Sequence, residues 1–121
     1  MKILIADDDR VIHISFTKPL INSGYEVISA YDGQEAFDMA VDQKPDIIIL
    51  DLGLPKMDGR DVCKKLKESP ETKHTKILML TGKNQDHDRH LGLELGADDF
   101  ISKPCSISYL ERALDKIARK M

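Results

Sequence analysis

Short runs of consecutive apolar residues alternate along this chain with stretches in which apolar residues recur every three or four positions. The runs cover residues 3–6, 25–30, 47–50, 77–80 and 100–102. They are too short for helices and nearly unbroken, as in strands buried on both faces. Between them the spacing is helical. Ile12, Phe16 and Leu20 form one stripe, Ala36, Phe37, Ala40 and Val41 a second, and Val62, Cys63 and Leu66 a third. The last stripe, Ile107, Leu110, Leu114, Ile117 and Met121, is the cleanest. Asp32 followed by Glu35 reads as a capping box opening the second helical segment, and Ser106 as the N-cap of the last. Pro19 falls inside the first segment, where it should leave the carbonyl of Ser15 without its partner and kink the helix. A fourth segment, residues 86–95, is weak: Gly92 interrupts it and its stripe is little more than Leu91 and Leu95. Regular alternation of strand and helix predicts an α/β fold with a parallel sheet covered by helices on both faces.

The strands do not end as core segments need to. "ILIADDD" runs into Asp7, Asp8 and Asp9, and "PDIIILDLGLPKMDG" carries an aliphatic run straight into Asp51. "ILMLTG" ends on Thr81 and "GADDFISKP" on Lys103. In an open parallel sheet ligands bind at the carboxyl ends of the strands, so acids, a hydroxyl and a lysine converge on one edge. Clustered carboxylates raise one another's pKa unless a cation sits among them. Mg²⁺, a hard ion that takes one or two protein carboxylates and keeps several waters, suits them. A lysine and a hydroxyl beside a metal-bound carboxylate describe a phosphoryl site with the acid as nucleophile.

Composition narrows the class. At 121 residues the chain has the size of one domain with one core, and 41% hydrophobic and 32% charged residues are ordinary for a soluble protein. A net charge of −3 argues against nucleic-acid binding by this domain. No apolar stretch approaches a membrane span or a signal peptide, so no membrane contact and a cytoplasmic location are expected. Cys63 and Cys105 lie far apart, outside any metal-ligand spacing, and read as reduced thiols. His87 and His90 could share a helix face but have no third ligand nearby; His13 and His74 have no obvious partners. Lys64, Lys65 and Lys67 read as the solvated side of a helix.

The four motifs together, in this order and at this spacing, resemble those of response-regulator receiver domains, the CheY-like phosphoacceptor modules of two-component signalling. The resemblance covers essentially the whole chain, residues 1–121 as a single receiver domain. It implies a flavodoxin-like (βα)5 fold with a five-stranded parallel sheet in the order 2-1-3-4-5. It implies a signalling domain, not a turnover enzyme, in which Asp51 accepts a phosphoryl group from a sensor histidine kinase or histidine phosphotransfer protein. Asp8, Asp51 and the backbone carbonyl of Gly53 would ligate Mg²⁺, Asp7 would hold a metal-bound water, and Asp9 would lie just outside. Thr81 and Lys103 would grip the phosphoryl oxygens. Thr81 and Phe100 would form the switch, and the bond between Lys103 and Pro104 would be cis. An output domain or target protein would read the state from the face made by the fourth helical segment, the fifth strand and the fifth helical segment.

Some residues depart from the family's habit. Gly53 stands where a larger side chain such as Met is common, and Lys83 adds a cation at the rim, so water's access to the acyl phosphate is expected to be unusual. Phe100 lacks the hydroxyl of the more common Tyr, and Cys105 replaces a common Phe. A rival resemblance, to haloacid-dehalogenase-type phosphohydrolases, would make Asp7 the nucleophile and Asp9 the general acid. It requires the lysine ahead of the acidic pair Asp98 and Asp99, whereas Lys103 follows them, and it leaves "DLGLPKMDG" unused. The segment "VCKKLKESPETKH" looks more like receivers of stand-alone and diguanylate-cyclase-linked proteins than of winged-helix transcription factors.

Overall fold

The computed structural model describes residues 1–82 and 96–121. Five parallel strands, β1 (Lys2–Ala6), β2 (Glu26–Ala30), β3 (Ile47–Asp51), β4 (Lys76–Thr81) and β5 (Asp99–Ser102), form one sheet in the order 2-1-3-4-5. Among the described residues four helices connect or follow them: α1 (Arg10–Asn22), α2 (Gly33–Gln43), α3 (Gly59–Glu68) and α4 (Ile107–Arg119). The predicted weak segment, with His87, His90 and Gly92, lies outside the described residues, as does Lys83.

The two-residue period of the strands divides the core. Leu4, Ala6, Ile48, Leu50, Ile77 and Met79 face one way and pack against Ala36, Ala40, Val62, Cys63 and Leu66 of α2 and α3. Ile3, Ile5, Ile47, Ile49, Leu78 and Leu80 face the other way, under Phe16 and Leu20 of α1 and Leu110, Leu114 and Ile117 of α4. Each fully buried aliphatic side chain contributes about 1.5–3 kcal/mol. That is why β1, β3 and β4 carry no polar residue between their ends.

α1 runs through Pro19 to Asn22, and the Pro19 carbonyl accepts from Ser23 N–H at 3.0 Å. One expectation about the helices needs correction. The buried stripe of α1 is His13, Phe16 and Leu20, with Ile12 only half buried. A histidine therefore occupies a core position. The predicted caps are present: Asp32 accepts from Glu35 N–H at 2.7 Å and Ser106 from Tyr109 N–H at 3.1 Å. Glu35 reaches back one residue beyond the N-cap, to Tyr31 N–H at 2.9 Å.

Candidate functional site

Sheet register builds the site. Ala6 pairs with Leu50, so the next residues, Asp7 and Asp51, stand side by side at the carboxyl edge. Asp51 pairs with Leu80, one residue before Thr81. Thr81 pairs with Ser102, one before Lys103. A strand offset by one residue would turn these groups to the other face, so the aliphatic core that sets register also aims the polar residues.

Asp7, Asp8 and Asp51 bring carboxylate oxygens within 4.8 Å of one another. Asp7 is 1% and Asp51 7% exposed, while Asp8 is open to solvent. Lys103 Nζ lies 2.7 Å from Asp7 Oδ2 and 3.8 Å from Asp51 Oδ2. Burial, and then the charge of Asp7, push the Asp51 carboxyl above its ordinary value, although Lys103 and the Gly53 amide pull the other way. For Lys103, burial opposes the charge, but the bond to Asp7 and the nearby charge of Asp51 win and hold the ammonium above its ordinary value. Asp9 does something else. Its Oδ1 accepts from Val11 N–H at 2.9 Å and caps α1.

The loop after Asp51 is tied down by backbone contacts. Gly59 N–H donates to the Leu52 carbonyl at 2.9 Å, and a Cβ on Gly59 would collide with the Asp51 carbonyl. Gly33 N–H donates to the Pro55 carbonyl at 3.0 Å, and a Cβ there would collide with the carbonyl of Met57. Gly53 is exposed and puts no side chain over Asp51. Phe100 is buried in the core cluster on the α2–α3 side, and the peptide bond between Lys103 and Pro104 is cis. Cys105 is half buried.

The residues present fit a divalent cation. Three carboxylates converge, that of Asp51 is raised by burial and then by Asp7, and among the described residues Asp7 Oδ2 is buried with no aligned hydrogen bond, only the ion pair to Lys103. Such an atom retains lone pairs for a positive partner.

One residue in this region was not anticipated. His13 has partners after all: Nε2 lies 2.7 Å from the Asp7 carbonyl and Nδ1 3.0 Å from Ser29 Oγ. The available sequence signal was its spacing, three before Phe16 and seven before Leu20, which places it on the core stripe.

Residues 3–115 match the family model described as response regulator receiver domain. The chain belongs to this family. That membership decides against the phosphohydrolase alternative and makes this a signalling domain of two-component systems. The receiver is 45% identical over 119 residues to the alkaline phosphatase synthesis transcriptional regulatory protein PhoP of Bacillus subtilis (strain 168). The match covers 98% of this chain and 49% of that protein, so the chain spans about half the length of this relative. Among solved structures it is similar to the chemotaxis response regulator CheY4 of Vibrio cholerae, at 33% identity and a TM-score of 0.89, covering 96% of this chain and 97% of that one. A putative response regulator from Chloroflexus aurantiacus J-10-fl is 35% identical with a TM-score of 0.90, covering 96% and 95%. Among the described residues no helix is long and apolar enough to cross a membrane.

Proposed function

We propose that this receiver accepts a phosphoryl group on Asp51 from the phosphohistidine of a sensor kinase or phosphotransfer protein and passes the resulting change of state to a partner. The observation that carries this reading is the convergence of Asp7, Asp8, Asp51 and Lys103 at one sheet edge of a receiver-family chain. An Asp51 carboxylate oxygen attacks phosphorus, forming a P–O bond as the P–N bond breaks. The donor imidazole leaves with the bonding pair and takes a proton from solvent. Asp7, Asp8, Asp51 and the Gly53 carbonyl are the groups to hold Mg²⁺, which when bound supplies positive charge beside the phosphoryl oxygens. Lys103 exchanges its carboxylate partners for a phosphoryl oxygen, and Thr81, at the end of β4, donates its hydroxyl to another. Hydrolysis reverses the state: water attacks phosphorus, and inorganic phosphate departs from the restored carboxylate.

The output is a change of packing biased by new charge. Thr81 moves toward the phosphoryl group and Phe100 repacks, altering the face built on β5, α4 and the helical segment expected at residues 86–95, where an output domain or target protein reads the state. Residues 1–121 act as one receiver unit in the cytoplasm, without nucleic acid or membrane contacts of their own. The similarity to a transcriptional regulatory protein favours an output at a promoter, delivered by another part of the system. Intact-mass measurement after incubation with Mg²⁺ and acetyl phosphate tests the site. A phosphoryl adduct on wild type that is absent from Asp51→Asn is the expected result; an adduct that survives Asp51→Asn and disappears with Asp7→Asn overturns it. Gly53 leaves the acyl phosphate open to water. Gly53→Met should therefore lengthen the phosphoprotein's lifetime, and unchanged decay would refute that role for Gly53.

A further inference from the structure

His13 is a charged-type side chain in the core of α1, 5% exposed, and it bonds to the backbone of a site residue. A carbonyl only accepts, so the 2.7 Å contact to Asp7 requires the proton on Nε2. In the neutral ring Nδ1 is then an acceptor, and the Ser29 hydroxyl at 3.0 Å is its donor. The ring packs against Tyr31 at 4.4 Å between centroids, and the Arg10 guanidinium covers the outer face of Tyr31 at 4.5 Å. The imidazole is thus fixed in tautomer by the Asp7 carbonyl, held in place by Ser29 of β2 and packed against an aromatic ring.

Asp7 is the residue this arrangement holds. Its N–H donates to the Ala30 carbonyl at 3.1 Å, its Oδ1 accepts from Asp9 N–H at 2.8 Å, and its Oδ2 meets Lys103. Its carbonyl lies past the end of β1 and ahead of α1, where neither ladder nor helix supplies a donor. Left alone in a residue 1% exposed, that carbonyl would be a buried orphan. The turn would instead rotate to wet it, carrying the Asp7 and Asp8 carboxylates with it.

We infer that His13 is a positioning residue for the cation site: its Nε2–H, locked by Ser29, sets the turn that aims Asp7 and Asp8 at Asp51. This rests on the proposed Mg²⁺ site and adds a residue outside its carboxylates. The structural alternative is a histidine that merely satisfies a core carbonyl, which would affect stability and leave cation affinity alone.

Calorimetric titration of the full chain with Mg²⁺, paired with urea unfolding in the absence of metal, separates the two. His13→Leu, which removes the donor, should weaken Mg²⁺ binding about tenfold or more, while His13→Gln, which keeps an N–H at a similar reach, should stay within about threefold of wild type. Ser29→Ala should fall between them. Wild-type Mg²⁺ affinity in His13→Leu, with only the urea midpoint lowered, would overturn the positioning role. So would equal losses in His13→Gln and His13→Leu. If His13→Leu does not fold, Ser29→Ala decides: reduced affinity supports the role and unchanged affinity sinks it. A wild-type chain that binds no Mg²⁺ removes the underlying site and this inference with it.

Discussion

The two cysteines show how burial, not sequence, sets the chemistry of a side chain. Cys63 lies on the buried face of α3, where burial pushes its thiol up to about 11, with Lys67 only partly offsetting the shift. Cys105 follows the cis Lys103–Pro104 bond and is half buried; burial raises it too, while the Lys103 charge opposes. The thiolate is the reactive form, and each thiol has a lysine nearby, so access decides in favour of Cys105. Titration of the native protein with a disulfide reagent at neutral pH should modify Cys105 first. Cys63 should react only after denaturant is added, and Cys105→Ser should remove the native phase. Rapid native labelling of Cys63 would mean that the α3 packing opens far more readily than its burial implies.

At the scale of elements, α2 carries two opposed features at its ends. At its start Asp32 accepts from Glu35 N–H, and this bond, followed by the charge of Lys56, holds its carboxyl below the ordinary value. A depressed folded pKa contributes stability that is present above the unfolded value and lost as pH falls through the folded one. Asp32→Ala should therefore cost about 1 kcal/mol near neutrality. In urea melts the gap from wild type should narrow as the pH drops below 3.8; a gap that widens in acid would contradict the cap. At the far end Lys44 sits at φ 50°, in the left-handed region, with its N–H on the Ala40 carbonyl. Glycine avoids that steric cost but loses more chain entropy, so Lys44→Gly should gain up to about 1 kcal/mol in the same assay. The two ends were unequally legible. Asp32 and Glu35 are a cap signal in sequence, whereas a lysine gives no sign that it will adopt a left-handed conformation. The same limit applies to α1: Ile12 and His13 both keep helical spacing to Phe16 and Leu20, and pattern alone favoured the apolar one. Only packing against β2 revealed that a polar ring could be satisfied there. The strands were clearer, because β1, β3 and β4, buried on both faces, carry no polar residue between their ends, and Asp7, Asp51 and Lys103 announce the strand ends.

Across the whole molecule, the sheet edge concentrates repulsion that the rest of the fold must overcome. The hydrophobic layers on either side fix strand register, and register leaves Asp7 and Asp51 adjacent whether or not a cation is present. Burial and Asp7 raise the Asp51 carboxyl, so in the folded state its ionised form is disfavoured relative to the unfolded chain. A raised folded pKa contributes stability below the unfolded value that is lost as pH rises through the folded one. In neutral, metal-free buffer the charged Asp51 therefore works against folding. Asp51→Asn should raise stability by on the order of 1 kcal/mol, the scale of partly screened charges a few ångström apart. Mg²⁺ should reverse the order. A ligand that binds only the folded state adds about 2.7 kcal/mol at a concentration a hundred times its Kd, and the asparagine variant, lacking a ligand charge, should gain much less. Urea unfolding of both proteins over a series of Mg²⁺ concentrations reads the crossover directly. If wild type stays less stable than Asp51→Asn at every concentration, the carboxylates are not a cation site. If it is the more stable one without metal, Lys103 already balances the cluster and no stability has been given up to build it.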